Sequence, residues 1–165
     1  MISYMNINKL LHPNHHAYRP GHSTTTALLQ MHDTWLQAVD SGHLMGVCML
    51  DMSAAFDLVD HALLQEKMAL YGFDEDSLKW VHSYLSGRSQ CVIIDGCLSK
   101  QLGVDVGVPQ GSILGPLFYT IFTNELPEVV QQEILNQGEV FQKYNLHHEE
   151  NGSICCYADD ATYSC

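Results

Sequence analysis

Two short runs of strand-forming residues, Ile154 to Ala158 and Ala161 to Ser164, flank the adjacent carboxylates Asp159 and Asp160. The pattern reads as a β-hairpin with both acids at its tip, and strands joined by so short a turn run antiparallel. A second hairpin is legible upstream. It comprises Gln90 to Asp95, the Asp95-Gly96 dipeptide and Leu98 to Val106, because Asp-Gly readily supplies the positive φ angles of a two-residue turn.

Helical spacing fills much of the remainder. Ser23 or Thr24 can cap a helix whose apolar positions Ala27, Leu28, Met31, Trp35 and Val39 recur at three- and four-residue steps, ending near Gly42. Leu44 to Leu50 is a short apolar run that suits a buried strand with Asp51 at its C-terminal tip. Asp60 caps an amphipathic helix carrying Leu63, Leu64, Met68 and Leu70 and stopping at Gly72. Asp74 opens another with Leu78, Val81 and Leu85, which stops at Gly87. Ser112 can cap a helix to about Leu126, apolar nearly all round and hence buried, with Pro116 tolerated in its first turn. Pro127 to Gly152, holding several Gln residues and the acidic pair Glu149-Glu150, reads as a partly helical, exposed insertion. The expected fold is α/β of the α+β kind, a small antiparallel sheet backed by helices. The 165 residues fit one domain able to bury a genuine core.

The formal charge is −12, from 19 acidic and seven basic residues. Phosphate backbones are normally held by Lys and Arg, so this balance alone argues against a free-standing nucleic-acid-binding module. A reading that involves nucleic acid must draw positive charge from divalent metal and from outside this chain. The longest strongly apolar run, Ile113 to Phe122, is far short of the ~20 residues needed to cross a bilayer, and Gly115 and Pro116 interrupt it. Met1 to Leu11 has one basic residue, Lys9, and no sustained apolar stretch. A secretory signal is therefore not supported, and an intracellular chain with no membrane partner is expected, whether nuclear or cytoplasmic. Six cysteines without C-x-x-C spacing read as reduced, mostly buried small hydrophobes. His12, His15 and His16 around Pro13 read as a solvated polar loop rather than a zinc site, since no matching Cys/His set stands at ligand spacing.

Asp51, Asp159 and Asp160 are the acidic tips of expected strands. Each is equally at home as a strand end or a turn former. Together they could hold two magnesium ions, which take hard oxygen ligands from a couple of carboxylates plus substrate phosphates.

The wording around these acids narrows the choice. The strings are Leu50-Asp51-Met52-Ser53-Ala54-Ala55-Phe56-Asp57 with Asp60-His61 following, Gly107-Val108-Pro109-Gln110-Gly111-Ser112-Ile113-Leu114-Gly115-Pro116, and Tyr157-Ala158-Asp159-Asp160. In this order they resemble motifs A, B and C of reverse transcriptases. Ala17-Tyr18-Arg19-Pro20-Gly21-His22-Ser23-Thr24 is similar to the segment before motif A in the non-LTR retrotransposon and group II intron branch.

The resemblance implies a polymerase palm that adds dNTPs to a primer 3′-hydroxyl on an RNA template, using Mg²⁺ with Mn²⁺ as a possible substitute. Asp51, Asp159 and Asp160 become the catalytic, metal-binding carboxylates, with Asp51 and Asp159 the principal bridging ligands. Phe56 matches the steric-gate aromatic that abuts the sugar 2′ position and so favours dNTPs. Met52, Gln110 and Gly111 fall on the nucleotide side, and Tyr157, Arg19 and Pro109 on the template and primer side. By the same resemblance, residues 1–165 form a partial domain of a longer parent chain, in which basic fingers and a helical thumb would supply the missing Lys and Arg. Two other readings stay open on the residues: a catalytically inactive retroelement remnant acting as a binding or scaffold domain, and a carboxylate-metal protein unrelated to polymerases.

Overall fold

The computed structural model describes residues 1–43, 45–136, 153–157 and 160–164. In chain order the helices are α1 (Ile2–Ile7), α2 (Thr24–Asp40), α3 (His61–Leu70), α4 (Glu75–Leu85), α5 (Leu114–Thr123) and α6 (Leu126–Asn136). The strands are β1 (Val47–Asp51), β2 (Arg88–Gln90), β3 (Ile93–Ile94), β4 (Cys97–Leu98), β5 (Leu102–Val104), β6 (Ser153–Tyr157) and β7 (Asp160–Ser164), and a 3₁₀ turn spans Ala55–Leu58. The chain divides into two compact units, Met1–Ser53 with Thr123–Cys165, and Ala54–Phe122.

The first unit is built on a three-stranded sheet of order β1-β7-β6. Both pairings are antiparallel, with register running from Val47↔Ser164 to Asp51↔Asp160 and from Ser153↔Ser164 to Tyr157↔Asp160. Helices α2 and α6 pack against β6. Ser23 caps α2 reciprocally: its hydroxyl accepts from the Thr26 N–H at 3.2 Å, and its own N–H donates to the Thr26 hydroxyl at 2.8 Å.

Histidines at the N-terminal end line the other flank of β6. The Cys156 N–H donates to the Asn14 carbonyl and the His16 N–H to the Cys156 carbonyl, both at 2.9 Å. The Asn124 carboxamide accepts from the His12 N–H at 2.9 Å and donates to the Leu10 carbonyl at 2.8 Å. His15 Nε2 donates to the Thr123 carbonyl at 3.1 Å. The solvated loop expected here is therefore a buried clasp: His15 and His16 are almost wholly covered, and burial pushes both imidazoles below their ordinary pKa.

Two further expectations are corrected. Strand β1 was expected to be buried from its apolar run, yet all five residues are exposed, Met49 to 72%. It is an edge strand held by its ladder to β7, and no described residue covers it. The five described cysteines are free but mostly not buried: Cys155 and Cys156 are covered, whereas Cys48, Cys91 and Cys97 are exposed. Burial, reinforced by the neighbouring Cys155, pushes the Cys156 thiol up to about 12.

In the second unit α3 packs on α4, and Val59, Leu64, Met68, Val81, Leu85 and Phe118 are fully or almost fully buried. Asp60 caps α3 by accepting from the Leu63 N–H at 2.8 Å, and Asp74 caps α4 by accepting from the Ser77 N–H at 2.8 Å. The expected Asp95-Gly96 hairpin forms, with φ of 50° and 78° at its two turn residues. It is not one continuous ladder. β3 pairs with β4 and β2 with β5, and between them Val92 and Ser99 exchange two bonds, one of which lands on the Ser99 hydroxyl. The Ser112 hydroxyl accepts from the Gly115 N–H at 2.9 Å at the start of α5, whose Phe118, Tyr119, Thr120 and Ile121 are buried. The chain after Asn124 forms a separate helix, α6, so the expected insertion is helical over its first part; residues 137–152 lie outside the described residues.

A tight crossing joins two loops of this unit. The Gly107 N–H donates to the Val59 carbonyl and the Val108 N–H to the Phe56 carbonyl, each at 2.8 Å. His61 Nε2 donates to the Gly107 carbonyl at 2.7 Å. Gly107 has φ +86°, and a Cβ there would lie 2.7 Å from the Asp57 carbonyl oxygen. No L side chain fits that approach without moving backbone.

Two outcomes test these local arguments. Gly107→Ala is expected to cost about 2 kcal/mol or more in urea unfolding, since both φ and contact are violated. Asp74→Ala is expected to lower the melting temperature at pH 7. The Ser77 hydroxyl and N–H hold the Asp74 carboxyl below its usual range. Its contribution is present above the unfolded carboxylate pKa and is lost as pH falls through the folded one. The gap between wild type and variant should therefore narrow on acidification, and a gap constant down to pH 2 would refute the cap's ionic character.

Candidate active site

The ladder of the first unit brings the acids together. Asp51 ends β1, Asp160 begins β7, and the two are direct cross-strand partners. Asp160 is also paired with Tyr157, the last residue of β6, so Asp51, Asp160 and Tyr157 form one row across the end of the sheet. Opposed residues of an antiparallel pair have Cα atoms about 4.5–5.5 Å apart. Asp159 lies outside the described residues but is chain-adjacent to Asp160. Met52 follows Asp51 directly and is half-buried.

Like charges directly opposite on a sheet repel. Asp51 is exposed and no basic side chain pairs with it among the described residues. Acidic residues opposed across a ladder are of the type that suits a hard divalent cation. Among the described residues no cluster of three His, Cys, Asp or Glu ligands forms.

The second unit holds three of the residues expected at the nucleotide, Phe56, Gln110 and Gly111, while Met52 belongs to the first. Phe56 lies in the 3₁₀ turn, half-buried, its ring centroid 4.7 Å from that of the buried Tyr119. One face of the ring is thus backed by core. Pro109, Gln110 and Gly111 follow the loop crossing, and the Gln110 amide Nε2 donates to Asp57 Oδ1 at 3.1 Å. A cleft of about 320 Å³ is lined by Asp57, Arg88, Gln90, Val108, Pro109 and Gln110, among others. Arg88 stands over the Tyr84 ring at 4.6 Å from its centroid and donates Nε to the Tyr84 carbonyl at 2.7 Å.

Arg19 has a definite local role. Its Nη1 donates to the carbonyls of His12 and His15 at 3.0 and 3.3 Å, tying the histidine clasp together from the first unit's own loop. Sequence reading singled out none of Asp57, His61 and Arg88. Asp57 and His61 stand inside the quoted motif string, so the signal was present without a role attached, whereas Arg88 shows only as a basic residue in an acidic chain.

The chain was compared with known proteins. Over residues 1–165 it matches the family described as Reverse transcriptase (RNA-dependent DNA polymerase). It is similar to the RNA-directed DNA polymerase from mobile element jockey of Drosophila funebris, 34% identical over 144 residues, which are 87% of this chain and 14% of that protein. It is also similar to the probable RNA-directed DNA polymerase from transposon BS of Drosophila melanogaster, 34% identical over 156 residues, which are 94% of this chain and 16% of that protein. The chain therefore spans a small part of the relatives it matches. Among solved structures, apo telomerase from Candida tropicalis, truncated from its C-terminal domain, aligns with a TM-score of 0.62 at 14% identity, covering 99% of this chain and 32% of that one. At such low identity the likeness speaks for the fold alone, and it agrees with small antiparallel sheets packed with helices. With the family match running the whole length of the sequence, the chain belongs to the reverse transcriptase family.

Proposed function

We propose that this chain carries the palm site of an RNA-directed DNA polymerase of the non-LTR retrotransposon type, transferring dNTPs to a primer 3′-hydroxyl on an RNA template. The observation that carries the reading is the register Asp51↔Asp160, which gathers the carboxylates of two distant motifs at one sheet end. Asp51, Asp159 and Asp160 would hold two Mg²⁺, for which Mn²⁺ can substitute. When bound, such ions lower the pKa of an attacking hydroxyl and stabilise charge developing during in-line displacement.

The chain's other residues select and orient. Phe56, held from behind by Tyr119, presents a rigid ring that excludes a 2′-hydroxyl and so favours dNTPs. Met52, Gln110 and Gly111 serve the nucleotide, with the glycine allowing close backbone approach. Tyr157, Pro109 and Arg19 serve the template and primer side. A chain of formal charge −12 repels phosphate unless cations intervene, and the acidic row is where they would do so. No described helix is long and apolar enough to cross a membrane, and an intracellular site of action fits nucleic-acid substrates.

Primer extension on an RNA template with Mg²⁺ and dNTPs tests the reading. The chain should extend the primer, and the Asp159→Asn, Asp160→Asn double variant should be slower by at least about a hundredfold. Equal extension by both would place the chemistry elsewhere, and no extension by the folded chain would refute activity in it. In the same assay Phe56→Ala should raise ribonucleotide use relative to dNTP use by about tenfold or more. Unchanged discrimination would remove Phe56 from the gate.

A further inference from the structure

Asp57 follows the gate residue, and the proposed polymerase role leaves it unused. The structure gives it a defined partner. The Ala54 backbone, at φ 54°, turns the chain into the 3₁₀ turn, where the Asp57 N–H donates to the Ala54 carbonyl at 2.9 Å. The loop crossing then presses Gly107 onto the Asp57 main chain, with Val108 bonded to Phe56 on one side and Gly107 to Val59 on the other. His61 closes the crossing from α3. This register leaves the Asp57 carboxylate within 3.1 Å of Gln110 Nε2.

A carboxylate ionised at neutral pH only accepts hydrogen bonds, so the Gln110 amide must turn its NH₂ toward Asp57 and its oxygen away. Among the described residues nothing donates to Gln110 Oε1, and the cleft that both residues line opens beside it. We propose that Asp57 is a positioning residue for Gln110, holding its carboxamide with Oε1 presented as an acceptor to a hydrogen-bond donor of the incoming nucleotide. The proposal rests on the polymerase reading for the identity of that ligand. An acceptor oxygen selects a hydroxyl or amine group of the nucleotide and disfavours its phosphates, whose oxygens are mainly anionic acceptors at neutral pH. The loop crossing fixes the backbone from which both side chains extend, because Gly107 and Val108 are bonded to the turn that carries Asp57 before Gln110 is reached.

The test measures equilibrium binding of a fluorescent dATP in Mg²⁺ together with KM and kcat in primer extension. Asp57→Ala is expected to weaken dATP binding and raise KM by about tenfold, with kcat within about threefold. Asp57→Asn keeps an acceptor oxygen at the same place and should restore binding to within about threefold. The pair Asp57→Ala, Gln110→Ala should bind no more weakly than Gln110→Ala alone, because the two residues act as one unit. Unchanged affinity in Asp57→Ala with synthesis intact overturns the positioning role and leaves the polymerase reading standing. Failure of Asp57→Asn to rescue, or additive losses in the double variant, also overturns it. Weakened and Asn-rescued dATP binding in a chain that synthesises nothing upholds the positioning role and overturns the polymerase reading. A wild-type chain that binds no dATP overturns both.

Discussion

The antiparallel pairing of β7 with β1 is the constraint on which the candidate chemistry depends. Its partners are more than a hundred residues apart in sequence, and Asp51 meets Asp160 only because the ladder runs in one register from Val47↔Ser164 onward. A slip of one residue would break that opposition and move every strand side chain to the other face. The strands contribute no burial on the β1 side, where all five residues are exposed, so main-chain hydrogen bonds carry the alignment. On the proposed metal reading, a divalent cation bound at that sheet end would tie the two strands together, and metal affinity would be coupled to the integrity of the sheet.

The second unit solves its own alignment problem by backbone proximity. Gly107 lies where any side chain would strike Asp57, and three bonds, from Gly107, Val108 and His61, stitch the loop to the turn that carries Phe56 and to its neighbours. Short neutral bonds of this kind contribute about 1 kcal/mol each, so what matters is that they converge on a few residues. Phe56 is held at its main chain by Val108 and at its ring by Tyr119. A side chain fixed at both ends can discriminate by shape, because yielding to a larger ligand would disturb the core as well.

Much of this was legible in the sequence, and the failures have physical causes. Helix starts were readable because capping is local: Ser23, Asp60 and Asp74 each satisfy an N–H three residues on, and those signals need no tertiary context. The Asp95-Gly96 turn was readable for the same reason. Burial was not, since it depends on what a surface meets. Val47, Met49 and Leu50 form an apolar run that suggests a covered strand, while His15 and His16 look soluble and are nearly inaccessible. The histidine clasp depends on bonds to Thr123, Asn124 and Cys156, each more than a hundred residues away in sequence. The acids were read as strand and hairpin tips and given a role by their motif strings, whereas the Asp57 contact to Gln110 spans 53 residues and has no sequence signature of its own.

Charge bears on both units. The described residues supply few uncommitted cations: Arg19 is engaged with carbonyls, and Lys67 donates to the Phe122 carbonyl at 2.7 Å. Arg88 is stacked on Tyr84 and lines the cleft with Gln110. Basic side chains used to tie loops and helix ends cannot also neutralise a polyanion at full strength. On the proposed polymerase reading, a palm organised in this way would depend on divalent ions for phosphate as well as for chemistry, and its affinity for nucleic acid would follow metal occupancy more closely than its sparse Lys and Arg content.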